Sequence, residues 1–124
     1  MHKILIFLFV ITSAFSVNAQ EKDSIVILNV TDYKTQTENK DVQLIDVRTP
    51  EEFKDGHIQD AINIDYYSED FLKEFETLDK NKPLYLYCRS GNRSYKAAVK
   101  LKKMGFKDIY DLEGGILNYN KKQE

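Results

Sequence analysis

The sequence predicts an α/β fold: a parallel sheet with helices on both faces. Two observations carry this. Short apolar runs that read as strands alternate with stretches of helical period along most of the chain. The runs at residues 42–47 and 84–88 are apolar almost throughout, as strands buried between two helical layers are. A chain of 124 residues is enough for one small domain and not for two.

The first residues read as something other than fold. Met1-His2-Lys3 is a basic start, residues 4–11 are unbroken apolar, and Val17 and Ala19 stand at −3 and −1 of a cleavage site before Gln20. That is the layout of a secretory signal peptide over residues 1–19. Even carried on to Val17, the apolar stretch is shorter than the ~20 residues a spanning helix needs, so an uncleaved anchor is the weaker reading. No cysteine lies at the cleavage point, which argues against a lipoprotein signal. The expectation is an exported domain over residues 24–122, periplasmic or secreted, with no stable membrane insertion after cleavage. A formal net charge of −2 argues against nucleic acid as partner, for which a basic face is expected.

Residues 25–28 form a short apolar run suited to a first strand. Residues 31–41 are polar and suggest a short helix or loop that adds little to the core. The strand at 42–47 leads into Asp46-Val47-Arg48. Thr49 then offers an N-cap, Pro50 suits the first helical position, and Glu52 completes a capping box. Gly56 keeps that helix brief. Residues 61–64 make a third strand, read as a short interior piece. Ser68-Glu69-Asp70 starts another helix, with Phe71, Leu72, Phe75 and Leu78 at helical spacing. A polar turn at 79–83 precedes the central strand. In the next helix Tyr95, Ala97, Ala98, Leu101 and Met104 form the apolar stripe, Lys96, Lys100, Lys102 and Lys103 face water, and Gly105 is the stop. A last strand lies within 106–112, and Glu113-Gly114-Gly115 turns into a short helix at 116–119. No internal repeat or linker is evident.

The strand at 84–88 ends in Cys88-Arg89-Ser90-Gly91-Asn92-Arg93-Ser94, which holds the only cysteine. A glycine lets such a loop turn tightly, and consecutive inward N–H groups make an anion nest that the positive end of the following helix reinforces. The loop reads as a cradle for an anionic sulfur. An odd cysteine in an exported chain cannot pair internally, so it is either a buried inert residue or a reactive thiol. In parallel sheets ligands bind beyond the carboxyl ends of the strands, and Cys88 sits at that edge.

These residues resemble a single-domain rhodanese, a rhodanese-like sulfurtransferase, over roughly residues 25–118. The landmarks come in the family's order: Asp46-Val47-Arg48, Glu51-Glu52-Phe53, Gly56-His57-Ile58, Ala61-Ile62-Asn63-Ile64, the Cys88 loop, and Leu112-Glu113-Gly114-Gly115. Ile116 departs from the pattern, standing where the family often has tryptophan. The resemblance implies a three-layer fold with a five-stranded, mostly parallel sheet. It also implies a two-step reaction in which Cys88 takes a sulfane sulfur from a thiosulfate or persulfide donor and passes it to a thiol or cyanide. No metal and no organic cofactor is implied.

On this reading Cys88 is the nucleophile, while Arg89, Ser90, Gly91, Asn92 and Arg93 form the substrate-binding loop, with Arg93 helping to hold an anionic donor. Arg89 has a second reading as a solvent-facing residue. Asn92 and Ser94 are also candidate helix caps. Asp46 is expected to hydrogen-bond the loop, and Arg48 to pair with Glu52 or a nearby acid. The resemblance makes the Gly-His-Ile segment structural, so His57 is not assigned to catalysis.

Two other functions compete. Cysteine phosphatases also place a thiolate in an amide-lined loop closed by an arginine, but they need a longer cysteine-to-arginine spacing to encircle a phosphate. Here four residues separate Cys88 from Arg93. A non-catalytic sulfur carrier or partner-binding module is the other. A simple redox thiol is weakened by the lack of a Cys-x-x-Cys pair.

Overall fold

The computed structural model describes residues 25–121; the expected signal peptide lies outside them. The chain runs β1 (Ile25–Leu28), α1 (Val30–Thr37), β2 (Gln43–Asp46), α2 (Pro50–Lys54), β3 (Ile62–Asn63), α3 (Phe71–Glu74), β4 (Leu84–Tyr87), α4 (Asn92–Lys103), β5 (Ile109–Leu112) and α5 (Gly115–Tyr119). A 3-10 turn at Phe75–Thr77 continues α3. The strands form one sheet in the order β1-β5-β4-β2-β3, with every pair parallel. The expected α/β class and five-stranded sheet are both present.

Alternation along the strands sends side chains into two separate cores. Ile45, Val47, Leu84, Leu86 and Cys88 face α3 and α4, meeting Phe71, Phe75, Ala97, Ala98 and Leu101. Leu44, Tyr85, Tyr87 and Leu112 face the other way, meeting Val30 and Tyr33 of α1 and Ile116 of α5. Strand β4 lies at the centre and is buried along its whole length. Among the described residues no helix is long and apolar enough to cross a membrane.

Several expectations need correction. The third strand is an edge and not an interior piece: β3 pairs only with β2, and Ile62 is 56 % exposed. Its apolar composition reflects Ala61 and Ile64, which flank the strand and are buried. Segment 31–41 adds more to the core than its polarity suggests, because Tyr33 is fully buried and its hydroxyl donates to the Leu86 carbonyl at 3.0 Å. In α3, Leu72 is exposed while Phe71 and Phe75 are buried. In α4, Tyr95 is 47 % exposed and Ser94 takes its place on the buried stripe. Gly105 follows the helix with φ +108°, as a stop residue should.

Candidate active site

Strand β4 carries the chain to Cys88 at the carboxyl edge of the sheet, and α4 leaves again from Gly91. The reversal between them is possible because Gly91 sits at φ +109°, a conformation that residues with a Cβ rarely adopt. Gly91 is also the N-cap, with no side-chain bond, so neither Asn92 nor Ser94 caps the helix.

The turn brings donors onto the sulfur. Cys88 Sγ accepts the Gly91 N–H at 3.1 Å and the Ser94 hydroxyl at 3.3 Å. Cys88 is 1 % exposed and also packs against the α3/α4 core. One loop amide, rather than several, reaches the sulfur itself. Among the described residues, no acceptor takes the N–H groups of Arg89, Ser90, Asn92 or Arg93. The loop therefore keeps a set of donors in hand for an anion. Arg89 and Ser90 are exposed, and Asn92 is exposed at the start of α4.

The loop is held from below by α5. The Ile116 N–H donates to the Cys88 carbonyl at 2.9 Å, and the Leu117 N–H to the Arg89 carbonyl at 3.2 Å. This contact demands glycine at 115, where φ is +64° and a Cβ would collide with the Arg89 carbonyl group. Ile116 is buried in the α1/α5 core and fills the position flagged in the sequence.

The two arginines take different acids, and Arg93, expected to help hold a donor, is paired within the protein. Arg93 forms a two-pronged ion pair with Glu52, Nη1 to Oε1 at 2.7 Å and Nη2 to Oε2 at 2.9 Å, and its guanidinium lies 5.8 Å from the centre of the Tyr67 ring. The Arg93 hydrogen bonds hold the Glu52 carboxyl down at about 2. Glu52 also closes the capping box with Thr49, so one side chain both starts α2 and neutralises the loop arginine. The charge expected to greet an anionic donor is thus partly spent within the protein.

Arg48 pairs with Asp46, the nearby acid among its expected partners, and not with Glu52. Its Nη2 reaches Asp46 Oδ2 at 2.7 Å and the Gly56 carbonyl at 2.7 Å. Burial alone would lower the Arg48 guanidinium, but its hydrogen bonds and charge pairing with Asp46 raise it overall. Asp46 is fully buried and also accepts the Arg48 backbone N–H at 2.9 Å, so it braces the end of β2 and makes no hydrogen bond to the Cys88 loop. Asn63 closes this brace by donating to the Asp46 and Arg48 carbonyls.

A groove of about 400 Å³ opens beside the loop, lined among others by Arg89, Arg48, His57, Glu52, Ile116 and Leu117. His57 stacks on Phe53 with ring centres 3.8 Å apart, in keeping with a structural place. Two acids near the site went unassigned in the sequence. Glu52 reads from the sequence as a cap and as a candidate partner of Arg48, not as the partner of Arg93. Asp111 is a lone carboxylate in an apolar strand, and that isolation was the signal that could have marked it. Among the described residues no group of His, Cys, Asp or Glu could hold a metal ion.

Known proteins agree with this architecture. A rhodanese-like domain protein of Staphylococcus aureus superposes with a TM-score of 0.68 at 30 % identity, covering 78 % of this chain and 93 % of that one. The thiosulfate sulfurtransferase GlpE of Shewanella oneidensis is 36 % identical over 89 residues, which is 72 % of this chain and 86 % of that protein. The tRNA uridine(34) hydroxylase of Pelagibacter ubique is 42 % identical over 84 residues, 67 % of this chain. That match covers only 28 % of the hydroxylase, so the chain spans about a third or less of such relatives. The sequence profile of the rhodanese-like domain matches residues 29–122, taking in every helix and all strands but the first, and on that match the chain belongs to the rhodanese-like domain family.

Proposed function

We propose that this chain is a sulfurtransferase that moves a sulfane sulfur from a thiosulfate-type donor to a thiol or cyanide through a persulfide on Cys88. The observation that carries the reading is the Cys88 sulfur held by the Gly91 amide at 3.1 Å, at the mouth of a loop whose other amides are unengaged. In the first step the Cys88 thiolate attacks the outer sulfur of thiosulfate. A sulfur–sulfur bond forms, the donor's own sulfur–sulfur bond breaks, and sulfite leaves with the electron pair. The negative charge now sits on the terminal sulfur, where fixed donors stabilise it without reorganising. In the second step the acceptor attacks that sulfur and the Cys88 thiolate is regenerated.

The Glu52–Arg93 pair shapes donor choice on this reading. A fully neutralised guanidinium would attract a dianion weakly, but a surface pair is worth little and can open. Arg89, exposed at the groove, supplies a second cation. The tRNA hydroxylase relatives share only this module, and their reaction is not carried over.

We also propose that residues 1–19 act as a secretory signal and deliver the domain to a periplasm or the extracellular space. N-terminal sequencing of the protein recovered from its producing cell should start at Gln20; a start at Met1 overturns export by this route. For the chemistry, the purified protein is mixed with thiosulfate and weighed. Cys88 should gain the mass of one sulfur atom and lose it on adding cyanide, and Cys88→Ser should gain none while keeping its circular dichroism. No mass gain in the native protein, or a gain in the serine variant, refutes the proposal.

A further inference from the structure

Helix α4 carries more charge than the chemistry at Cys88 uses. Its 12 residues hold Arg93, Lys96, Lys100, Lys102 and Lys103 and no acid. The formal net charge of the whole chain is −2, so the rest of the chain is acidic. Arg93, Lys96, Lys100 and Lys103 follow one another at intervals of three, four and three residues, which puts them on one face of the helix. At ~1.5 Å per residue the stripe runs about 15 Å from the Cys88 loop.

The helix dipole explains only part of it. Cations in the last turn suit the carboxyl end of a helix, which accounts for Lys100, Lys102 and Lys103. Arg93 and Lys96 stand nearer the amino end, where acids are favoured. Pairing within the protein does not use the lysines either. Among the described residues Arg93 meets Glu52, and none of Lys96, Lys100, Lys102 and Lys103 forms an ion pair. Lys96, Lys100 and Lys103 are exposed.

Tyrosines border the stripe. The connection from β3 to α3 sets the Tyr67 ring 5.8 Å from the Arg93 guanidinium and the Tyr66 ring 4.8 Å from Lys100 Nζ. Tyr67 is 66 % exposed, and Tyr95 of α4 is exposed as well. Tyrosine and arginine are enriched at protein interfaces, while lysines at the rim steer a charged partner and fix its register. The stripe is short, and the acidic rest of the chain opposes an anionic surface that extends beyond it, as an RNA strand or a membrane does. An acidic patch on a folded partner fits within it.

We propose that the outer face of α4 docks an acidic protein whose cysteine is the acceptor of the Cys88 sulfur. The inference rests on Cys88 carrying the persulfide. The acceptor thiol gives its proton to solvent, and its thiolate attacks the outer sulfur of that persulfide. A sulfur–sulfur bond forms to the partner, the bond to the Cys88 sulfur breaks, and Cys88 keeps the electron pair as a thiolate. The stripe takes no part in these bonds; it concentrates the acceptor at the mouth of the loop.

Two synthetic peptides serve as probes, one with its single cysteine between glutamate triplets and the other with glutamines in their place. Discharge of thiosulfate-loaded protein to each is followed by mass. The variant Lys96→Gln/Lys100→Gln/Lys103→Gln alters exposed side chains only and should discharge to cyanide at the native rate. The ratio of the glutamate to the glutamine rate should be about 10-fold or more higher in the native protein than in the variant. Comparing ratios cancels the effect of the glutamates on the thiol itself. Equal ratios overturn the proposal. Binding is measured separately, by fluorescence anisotropy of labelled peptides with serine for cysteine, on Cys88→Ser protein. The glutamate peptide should bind more tightly than the glutamine one, lose that advantage in the triple variant, and weaken as salt shortens the reach of charge. No preference for glutamate overturns the docking, and tighter binding of a single-stranded RNA oligomer or of phosphatidylglycerol vesicles overturns the choice of partner. The binding arm uses no sulfur, so a failure of thiosulfate loading tells against sulfur transfer alone.

Discussion

Gly115→Ala tests how the reactive loop is held. At φ +64° an alanine pays about 1–2 kcal/mol for the left-handed conformation. Its Cβ would also run into the Arg89 carbonyl and come within 2.6 Å of the Ser90 nitrogen. Both are backbone atoms, so no side-chain rotation relieves the contact, and overpacking of this kind costs about 1–3 kcal/mol more. The total, about 2–5 kcal/mol, should lower Tm by about 10 °C or more while leaving the domain folded. Relief comes by moving Arg89 and Ser90, which takes Gly91 off the sulfur. Losing one hydrogen bond to a charged atom costs about 1.5–3 kcal/mol. That corresponds to sulfur loading from thiosulfate slower by about 10- to 100-fold. Gly105→Ala is the control. It shares a positive φ, +108°, but its Cβ meets only Lys80 Cδ at 3.6 Å, at the far end of α4 from the cysteine. The two variants overlap in stability, so loading separates them: Gly105→Ala should load at the native rate. Native loading by Gly115→Ala would refute the idea that α5 shapes the loop.

Glu52→Gln should free Arg93 and lower the KM for thiosulfate, whereas Arg93→Ala should raise it; steady-state kinetics with both variants check the pair. Because the folded Glu52 carboxyl lies near 2, below its usual 4.5, its stabilising effect is complete above pH 4.5 and is lost as pH falls through about 2. After screening this amounts to about 1 kcal/mol, and urea titrations of Glu52→Gln should show it gone. Arg48→Met should destabilise by about 3–5 kcal/mol by stranding Asp46, and the double variant with Asp46→Leu should recover much of that in urea unfolding. For Asp111 the sign reverses. Its folded carboxyl is raised from 3.8 to about 6, so its stabilising effect is complete below about pH 3.8 and is lost as pH rises through about 6. Asp111→Asn should gain up to about 3 kcal/mol above that range, read by thermal unfolding at pH 4 and pH 8.

Local rules were enough where local physics decides. The Thr49-Pro50-Glu52 start, the Gly91 turn and the Gly105 stop all describe contacts within a few residues, and the structure has each of them. Periodicity also found the central strand, whose burial on both faces leaves little choice of residue. What periodicity missed is long-range. Tyr33 reads as one aromatic in a polar stretch until Leu86 supplies its acceptor from another element. Ile62 reads as core until the strand order puts β3 on the rim. Ion-pair partners were the hardest to read: Glu52 was a candidate for Arg48, and only the path of α2 past the loop brings it to Arg93.

The grip of the Ile116 and Leu117 amides on the Cys88 and Arg89 carbonyls has a temporal side. During synthesis the cysteine emerges well before the segment that finishes its surroundings, since chains grow from the N-terminus at about 5–20 residues per second. A nascent chain halted before Gly114 owns the thiol without the geometry that holds it. The surroundings of that sulfur are therefore completed last, and the final turn of the domain serves as the latch.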